Sequence, residues 1–357
     1  MKKRKKHNKK SIKSVNLKKI TPFSELLVRY EGIEPAKAFW GGITPKSVGF
    51  IFGLAKSGKT IICENLALSI TSGRDKFLGI PIELPKSKVL FISMEENVGI
   101  RIIQRGSKQI KGYSRDEKKN IKDNLYYSDE EFLRSIEGTK DWGVFEEQIE
   151  KHRPDVVFVD STNRFNIDIE NRKEANILMQ KIREFAQKYE CAILLIHHTN
   201  KAQKDKPITL EQMSGSSALG RDADLFIGIN SLSSGIRYIK FLDNRYSQIP
   251  DKSILFSIQN NYLVDFEGKE YENELIKSMD NRYKSNNTEI ILDFIKRNID
   301  KEDAIKTKSL QSHFVEKNGI ITKKTLHNQL KKLIELKQIE KVKHGIHRLI
   351  INNDINR

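Results

Sequence analysis

Apolar strands alternating with amphipathic helices predict an α/β fold on a mostly parallel sheet, each strand buried on both faces. Past Asp224, four strand-like runs follow one another with no helix between them, which predicts antiparallel hairpins at one end of that sheet. Residues 287–357 change pattern again, to three short helices and a hairpin, and predict a small second domain.

The elements follow in order. Residues 2–10 are Lys, Arg or His except Asn8, and 1–22 reads as a basic, disordered arm with affinity for nucleic acid. The core is expected to start near Phe23 and to run over 23–272. Gly41-Gly42-Ile43-Thr44-Pro45 is a turn leading into an apolar strand at 48–52, and 61–70 has helical spacing. After a Pro-containing loop at 73–87, 88–93 is a second strand ending in Met94-Glu95-Glu96. Helices are expected at 98–110, 142–151 and 175–189, and strands at 155–160 and 191–196. The hairpin strands are 225–229, 236–242, 254–258 and 262–266, and the polar stretch 273–286 reads as a linker. In 287–357, Ile290, Ile291, Phe294 and Ile295 share one helical face. Leu310, Phe314 and Val315 share a second, closed by Gly319. Leu326, Leu330, Leu333 and Ile334 share a third, capped by Thr322. A hairpin turning at His344-Gly345 completes the pattern of a winged helix.

The formal net charge of +17 favours a polyanionic partner. The two cysteines, Cys63 and Cys191, lie among apolar neighbours and read as buried thiols. No apolar run reaches membrane-spanning length and the N-terminus lacks the apolar core of a secretory signal, so a soluble, cytoplasmic protein is expected.

The chemistry concentrates at strand ends. Gly53-Leu54-Ala55-Lys56-Ser57-Gly58-Lys59-Thr60 has the P-loop spacing, placed between a strand and a helix N-terminus. There the loop from Gly53 through Ala55, Lys56, Ser57, Gly58, Lys59, Thr60 and Ile61 faces an anion with its amides and the helix dipole. Lys59 is expected to reach the β- and γ-phosphates of ATP, and Thr60 to hold Mg²⁺. Asp160 ends an apolar strand and delivers a carboxylate to the Mg²⁺ shell. Glu95 is the expected base that orients the attacking water, although strand periodicity alone does not separate it from Glu96. His197, His198 and Asn200 form a polar strand end suited to sensing the γ-phosphate. Adjacent histidines with no third ligand make a poor metal site. The segment after them carries Lys201, Lys204, Lys206 and Ser216 and is placed to grip a nucleic-acid backbone. In the C-terminal domain Lys323, Lys324, Asn328, Lys331 and Lys332 lie mostly off the apolar face of the third helix, and Lys343 lies in the hairpin. They suit phosphate and base-edge contact.

The P-loop, Ser93-Met94-Glu95-Glu96, the strand ending Asp160-Ser161, Ile196-His197-His198-Thr199-Asn200-Lys201, residues 214–224 and Asn244-Arg245 together resemble the RecA/DnaB-type ATPases. The resemblance is to the RepA-like branch of plasmid and phage hexameric helicases, with KaiC and RadA as cousins, and covers roughly 23–266. It implies a RecA-like core, a homo-oligomer such as a hexameric ring, a loop lining a central DNA channel, and a finger reaching the neighbouring subunit's nucleotide. Arg245 matches the arginine of the family's Lys-X-Arg finger, while the lysine position is Asp243, with Lys240 three residues earlier. The expected function is a Mg²⁺-ATP-dependent, DNA-binding ATPase that unwinds or translocates DNA in replication of a mobile element. The alternatives are an ATP-controlled DNA-binding assembly that separates no strands, and a recombinase-like filament.

Overall fold

The computed structural model describes residues 20–166, 168, 171–199, 205–213, 219, 222–299, 304–317, 323–343 and 345–350, with the backbone alone at 278–287 and 290. The basic run at 2–10, Asn200, Lys201, Lys204, Ser216, Gly319, Thr322 and His344 lie outside the described residues. Two compact units divide between Ala36 and Lys37. The first contains helix α1 (Phe23–Tyr30), which buries none of its residues. Its apolar side chains Phe23, Leu27 and Val28 are exposed, so the buried core begins later than the expected Phe23.

In the second unit, β1 (Val48–Gly53) is the centre of a nine-stranded sheet. Its other strands are β4 (Val89–Ser93), β5 (Leu125–Tyr127), β6 (Val156–Asp160), β7 (Ala192–His198), β8 (Leu225–Ser231), β9 (Arg237–Asn244), β10 (Ser253–Ile258) and β11 (Val264–Glu270), in the order β11-β10-β9-β8-β1-β7-β6-β4-β5. Strands β8, β1, β7, β6, β4 and β5 run parallel to one another, and β9, β10 and β11 extend the sheet antiparallel, as the spacing past Asp224 predicts. The two edges are unlike. Strand β5 has three residues, whereas β11 carries Asp265, Glu267, Lys269 and Glu270 with an irregular register opposite Leu255 and Phe256.

Alternation along β1 sorts its side chains. Val48, Phe50 and Phe52 join one buried cluster and Ile51 joins another on the opposite face. Helices α5 (Thr139–His152) and α6 (Arg172–Tyr189) cover the first face through Phe145, Ile149, Leu178, Ile182 and Phe185. Helix α2 (Lys59–Ser72) covers the second through Ile62, Leu66 and Ile70. Phe39, Trp40 and Ile43 close the same face, and Trp40 Nε1 donates to the Phe77 carbonyl at 2.9 Å. Phe77 belongs to β2 (Lys76–Phe77), which pairs with β3 (Ile80–Pro81) inside the expected loop 73–87.

Between β4 and β5 the chain differs from the single helix expected at 98–110. Helix α3 (Val98–Arg101) continues through a π turn, Ile102–Gly106, and ends in a 3₁₀ turn, Ile110–Gly112. Helix α4 (Arg115–Asn124) follows, opened by a capping box in which Ser114 and Glu117 each accept the other's backbone N–H.

The polar stretch 273–286 lies inside a long helix, α7 (Glu272–Asn298). Beyond it come β12 (Ala304–Lys306), α8 (Thr307–Gln311) continued by a π turn, α9 (Lys323–Glu335), β13 (Ile339–Lys343) and β14 (Ile346–Leu349). The strands form a separate antiparallel sheet in the order β12-β14-β13, over a core of Ile291, Ile295, Leu310, Phe314, Leu326, Leu330 and Leu333.

Candidate functional site: a strand-end cluster around the P-loop

Parallel strands bring their carboxyl ends to one edge. Gly53 pairs in register with His198, Asp160 with Ile196, and Ser93 with Asp160, so the P-loop, Glu95, Asp160 and His198 are neighbours although they come from four separate segments. The local sequence fits that placement. A Cβ at Gly53 would meet the Ile229 carbonyl oxygen at 2.0 Å, so only glycine lets the loop leave the sheet there. Gly58 has φ of 104°, in the left-handed region, and is the N-cap of α2, which turns the first-turn amides toward the loop.

Within the cluster the Lys59 ammonium donates to the carbonyls of Gly53 at 2.9 Å and Leu54 at 2.8 Å. Burial pulls its pKa down to about 8, against the opposing pull of Asp160, Cys63 and Glu95. Ser57 Oγ is buried and has no hydrogen-bond partner among the described residues. Thr60 Oγ1 donates to Asp160 Oδ2 at 2.9 Å. Burial raises the Asp160 pKa, and Arg101 and Thr60 oppose that rise. The peptide bond from Asp160 to Ser161 is cis.

The two glutamates after β4 go different ways. Glu95 accepts from Ser161 Oγ on one oxygen, and its other oxygen is 3.5 Å from His198 Nε2. The hydrogen bond from His198 is the largest influence on its carboxyl, and with Ser161 it holds the pKa at about 2 although burial pulls the other way. Glu96 instead pairs with Arg105. The geometry therefore separates two residues that sequence periodicity does not. His197 turns away from Glu95. It is buried, with Nδ1 2.6 Å from Thr162 Oγ1 and its ring edge-on to Phe50.

Below the strand ends lies a charged cluster absent from the sequence reading. Arg101, 3% exposed, donates through Nε to Glu64 of α2 and through Nη1 to Ser93 Oγ at 2.7 Å. Its Nη2 is 3.7 Å from Asp160 Oδ2, and its guanidinium lies 4.7 Å from the centre of the Phe91 ring. Arg105 Nη2 lies 3.4 Å from the same Glu64 oxygen. One signal did exist: Glu64 is a carboxylate inside the run Ile61-Ile62-Cys63-Glu64-Asn65-Leu66-Ala67, and a buried carboxylate requires a cation.

Arg245 is not part of this cluster. Its backbone N–H donates to the Asp224 carbonyl, and its Nη1 is 3.4 Å from Asp224 Oδ1. Asp224 is buried, also pairs with Arg183 at 3.0 Å, and accepts from the Val48 N–H, at the start of β1. Val48 and Gly53 are five residue steps apart, about 17 Å along an extended strand, so Arg245 lies at the sheet edge opposite its own P-loop. Lys240 is paired with Glu272. Lys206 is exposed, and its carbonyl accepts from Asn230. Lys323, Lys324, Asn328 and Lys331 are exposed on α9, Lys332 is half-buried there, and Lys343 is exposed on β13. Among the described residues no His, Cys, Asp and Glu gather into a metal-binding group of three or more, and no helix is long and apolar enough to cross a membrane.

A family model described as an AAA domain matches residues 21–204. Among solved structures, an ATPase domain of known structure superposes with a TM-score of 0.50 at 14% identity, over 68% of this chain and 97% of that one, a likeness of fold. No curated protein matches the sequence. That fold is the RecA-like arrangement that the resemblance implies, in which a mostly parallel sheet carries the P-loop at its carboxyl edge and gains antiparallel strands on one side. Since the family match spans more than half of its length, from before the P-loop to just past the histidine pair, the chain belongs to the AAA domain family.

Proposed function

We propose that this chain is a Mg²⁺-dependent ATP hydrolase that acts on DNA as an oligomer. The observation that carries the reading is the meeting of Thr60 Oγ1 and Asp160 Oδ2 at 2.9 Å beneath a glycine-shaped loop, with Glu95 at the adjoining strand end. An all-oxygen donor pair suits Mg²⁺, and the loop's own Ser57 hydroxyl, buried without a partner among the described residues, suits a phosphate oxygen. In this reading the amides of Gly53–Thr60 cradle the phosphates, and Lys59 leaves the Gly53 and Leu54 carbonyls to meet the β- and γ-oxygens. Thr60 and Asp160 would hold Mg²⁺, which when bound would supply positive charge to offset that on the transferred phosphoryl group. Glu95 orients the attacking water. A carboxylate held near pKa 2 is a weak proton acceptor, so its contribution is chiefly orientation, with His198 and Ser161 fixing its rotamer. His198 also links Glu95 to the strand end that leads into the expected DNA loop, a route for sensing the γ-phosphate.

Arg245 acts in this reading as a finger for a neighbouring copy, since the length of β1 keeps it from its own phosphates. Residues 287–357 serve as a winged-helix module that binds duplex DNA through Lys323, Lys324, Asn328, Lys331, Lys332 and Lys343. The finer reading is DNA unwinding or translocation in replication of a mobile element. ATP turnover with and without single-stranded and duplex DNA tests it, alongside a strand-displacement assay and the Lys59→Ala variant. Turnover stimulated by DNA and abolished in Lys59→Ala is expected. Near-wild-type hydrolysis by Lys59→Ala refutes the assignment of the site, and turnover without strand displacement favours an ATP-controlled assembly.

A further inference from the structure

The C-terminal module holds a cavity of about 720 Å³ between α8, α9 and the β13–β14 hairpin. Lys306, Lys308, Lys331 and Lys341 line it with His327, and among the described residues no Asp or Glu does. Among the described residues none of these lysines pairs with a carboxylate. The floor is different in kind: Leu330, Ile334 and Ile346 make it apolar. Against that floor stands His347, 6% exposed, whose Nε2 is 3.2 Å from Thr307 Oγ1 and whose Nδ1 has no partner among the described residues. Burial, with Lys341 and His327 nearby, lowers its pKa, so the ring is neutral at pH 7.

Resting on the nucleic-acid reading above, we infer that this cleft seats an unpaired nucleotide of a DNA strand, distinct from duplex contact along α9. Cations without counter-ions track phosphates. They do so equally for paired and unpaired DNA, and the floor breaks the tie. A duplex keeps its base faces stacked and offers only base edges and backbone, so an apolar floor gains nothing from it. A splayed base lays its face on apolar or imidazole side chains and presents its edge to a buried polar atom, the role open to His347 Nδ1. The cleft shares only Lys331 with the residues assigned to duplex contact, so the two modes separate by substitution.

The test is fluorescence anisotropy on the full chain with a labelled oligothymidylate and a labelled blunt duplex across a salt series. Lys308 and Lys341 are exposed, so Lys308→Ala with Lys341→Ala preserves the fold, checked by an unchanged melting curve. Two lost contacts should lower the single-strand salt slope by about 1.4 and its affinity at least about tenfold, with duplex affinity nearly unchanged. Lys323→Ala with Lys324→Ala should do the reverse, and Ile346→Ser should weaken single-strand binding at an unchanged salt slope. Equal losses on both DNAs, or no loss of single-strand affinity in the Lys308/Lys341 variant, overturns the inference. So does displacement of the strand by an acidic, leucine-containing peptide of equal charge, which would mark a protein-docking groove. If wild type binds neither DNA, the nucleic-acid reading falls with it.

Discussion

Replacing Arg101 with Met should be among the most destabilising single changes in the core, and the structure gives its size. The side chain pairs with Glu64, donates to Ser93 and stacks on Phe91, and its loss leaves Glu64 and Asp160 as buried carboxylates. Removing one partner of a buried ion pair costs about 3–5 kcal/mol. Arg105 lies 3.4 Å from the same Glu64 oxygen and is the nearest substitute, which argues for about 3 kcal/mol here. At roughly 2 °C per kcal/mol for a domain of this size, the melting temperature should fall by about 6 °C. Arg101→Met combined with Glu64→Leu removes both charges and refills much of the volume. Since such a swap is often neutral, most of the loss should return, giving a coupling energy of about 3 kcal/mol plus whatever Glu64→Leu costs alone. Urea and thermal unfolding of the full chain, with circular dichroism as the readout, complete the double-mutant cycle. If the double variant is no more stable than Arg101→Met alone, or if that single change costs under about 1 kcal/mol, the two residues do not form the buried pair described here.

Glu95, with its pKa lowered to about 2, contributes stability that is present above about pH 4.5 and is lost as pH falls toward 2; His198→Ala should raise that pKa, as read by carboxyl ¹³C NMR titration, and an unmoved titration would contradict the contact. Lys59, lowered to about 8, should lose its proton above pH 8 in the nucleotide-free chain, so ATP affinity measured by calorimetry should weaken between pH 7 and 9, and an unchanged affinity would count against a charged Lys59 at the phosphates. Glu95→Gln and Arg245→Ala should each hydrolyse ATP at least about a hundredfold more slowly, while mixed oligomers should regain part of the rate; normal turnover by Arg245→Ala alone, or no regain once mixing is shown, excludes a finger acting between copies. A chain ending at Asn286 retains Glu272 and Leu275, and should keep basal ATP turnover but lose duplex affinity; undiminished duplex binding would move that role out of residues 287–357.

What was legible in the sequence follows from how each feature is encoded. The P-loop is contiguous, because one turn must supply amides, lysine and hydroxyl together, and the apolar strands announce both themselves and the polar residues at their ends. Glu95 and Glu96 differ only in what comes near them, Ser161 from 66 positions away and Arg105 from nine, so their division of labour needed the fold. Arg101 and Glu64 look like surface residues one at a time, and only their pairing across 37 positions allows both to be buried. Helix α4 escaped notice because only Ile121 of its ten residues is buried, and the Ser114–Glu117 box rather than an apolar face marks its start. Strand β12 is three residues long, too short for any period to show.

The two margins of the central sheet have a consequence for how copies of this chain can meet. On one side β5 offers only three residues to a would-be partner strand. On the other, β11 presents alternating charges and a kinked ladder at Gly268, where φ is 113°. Short, charged and bulged margins refuse a tenth strand. At these two edges of the central sheet, backbone ladders are thereby closed as a means of joining molecules, and so is the cross-strand stacking that makes concentrated β-rich proteins gel. Any contact between copies at these margins would fall to side chains, and would be responsive to ionic strength and open to dissection one residue at a time.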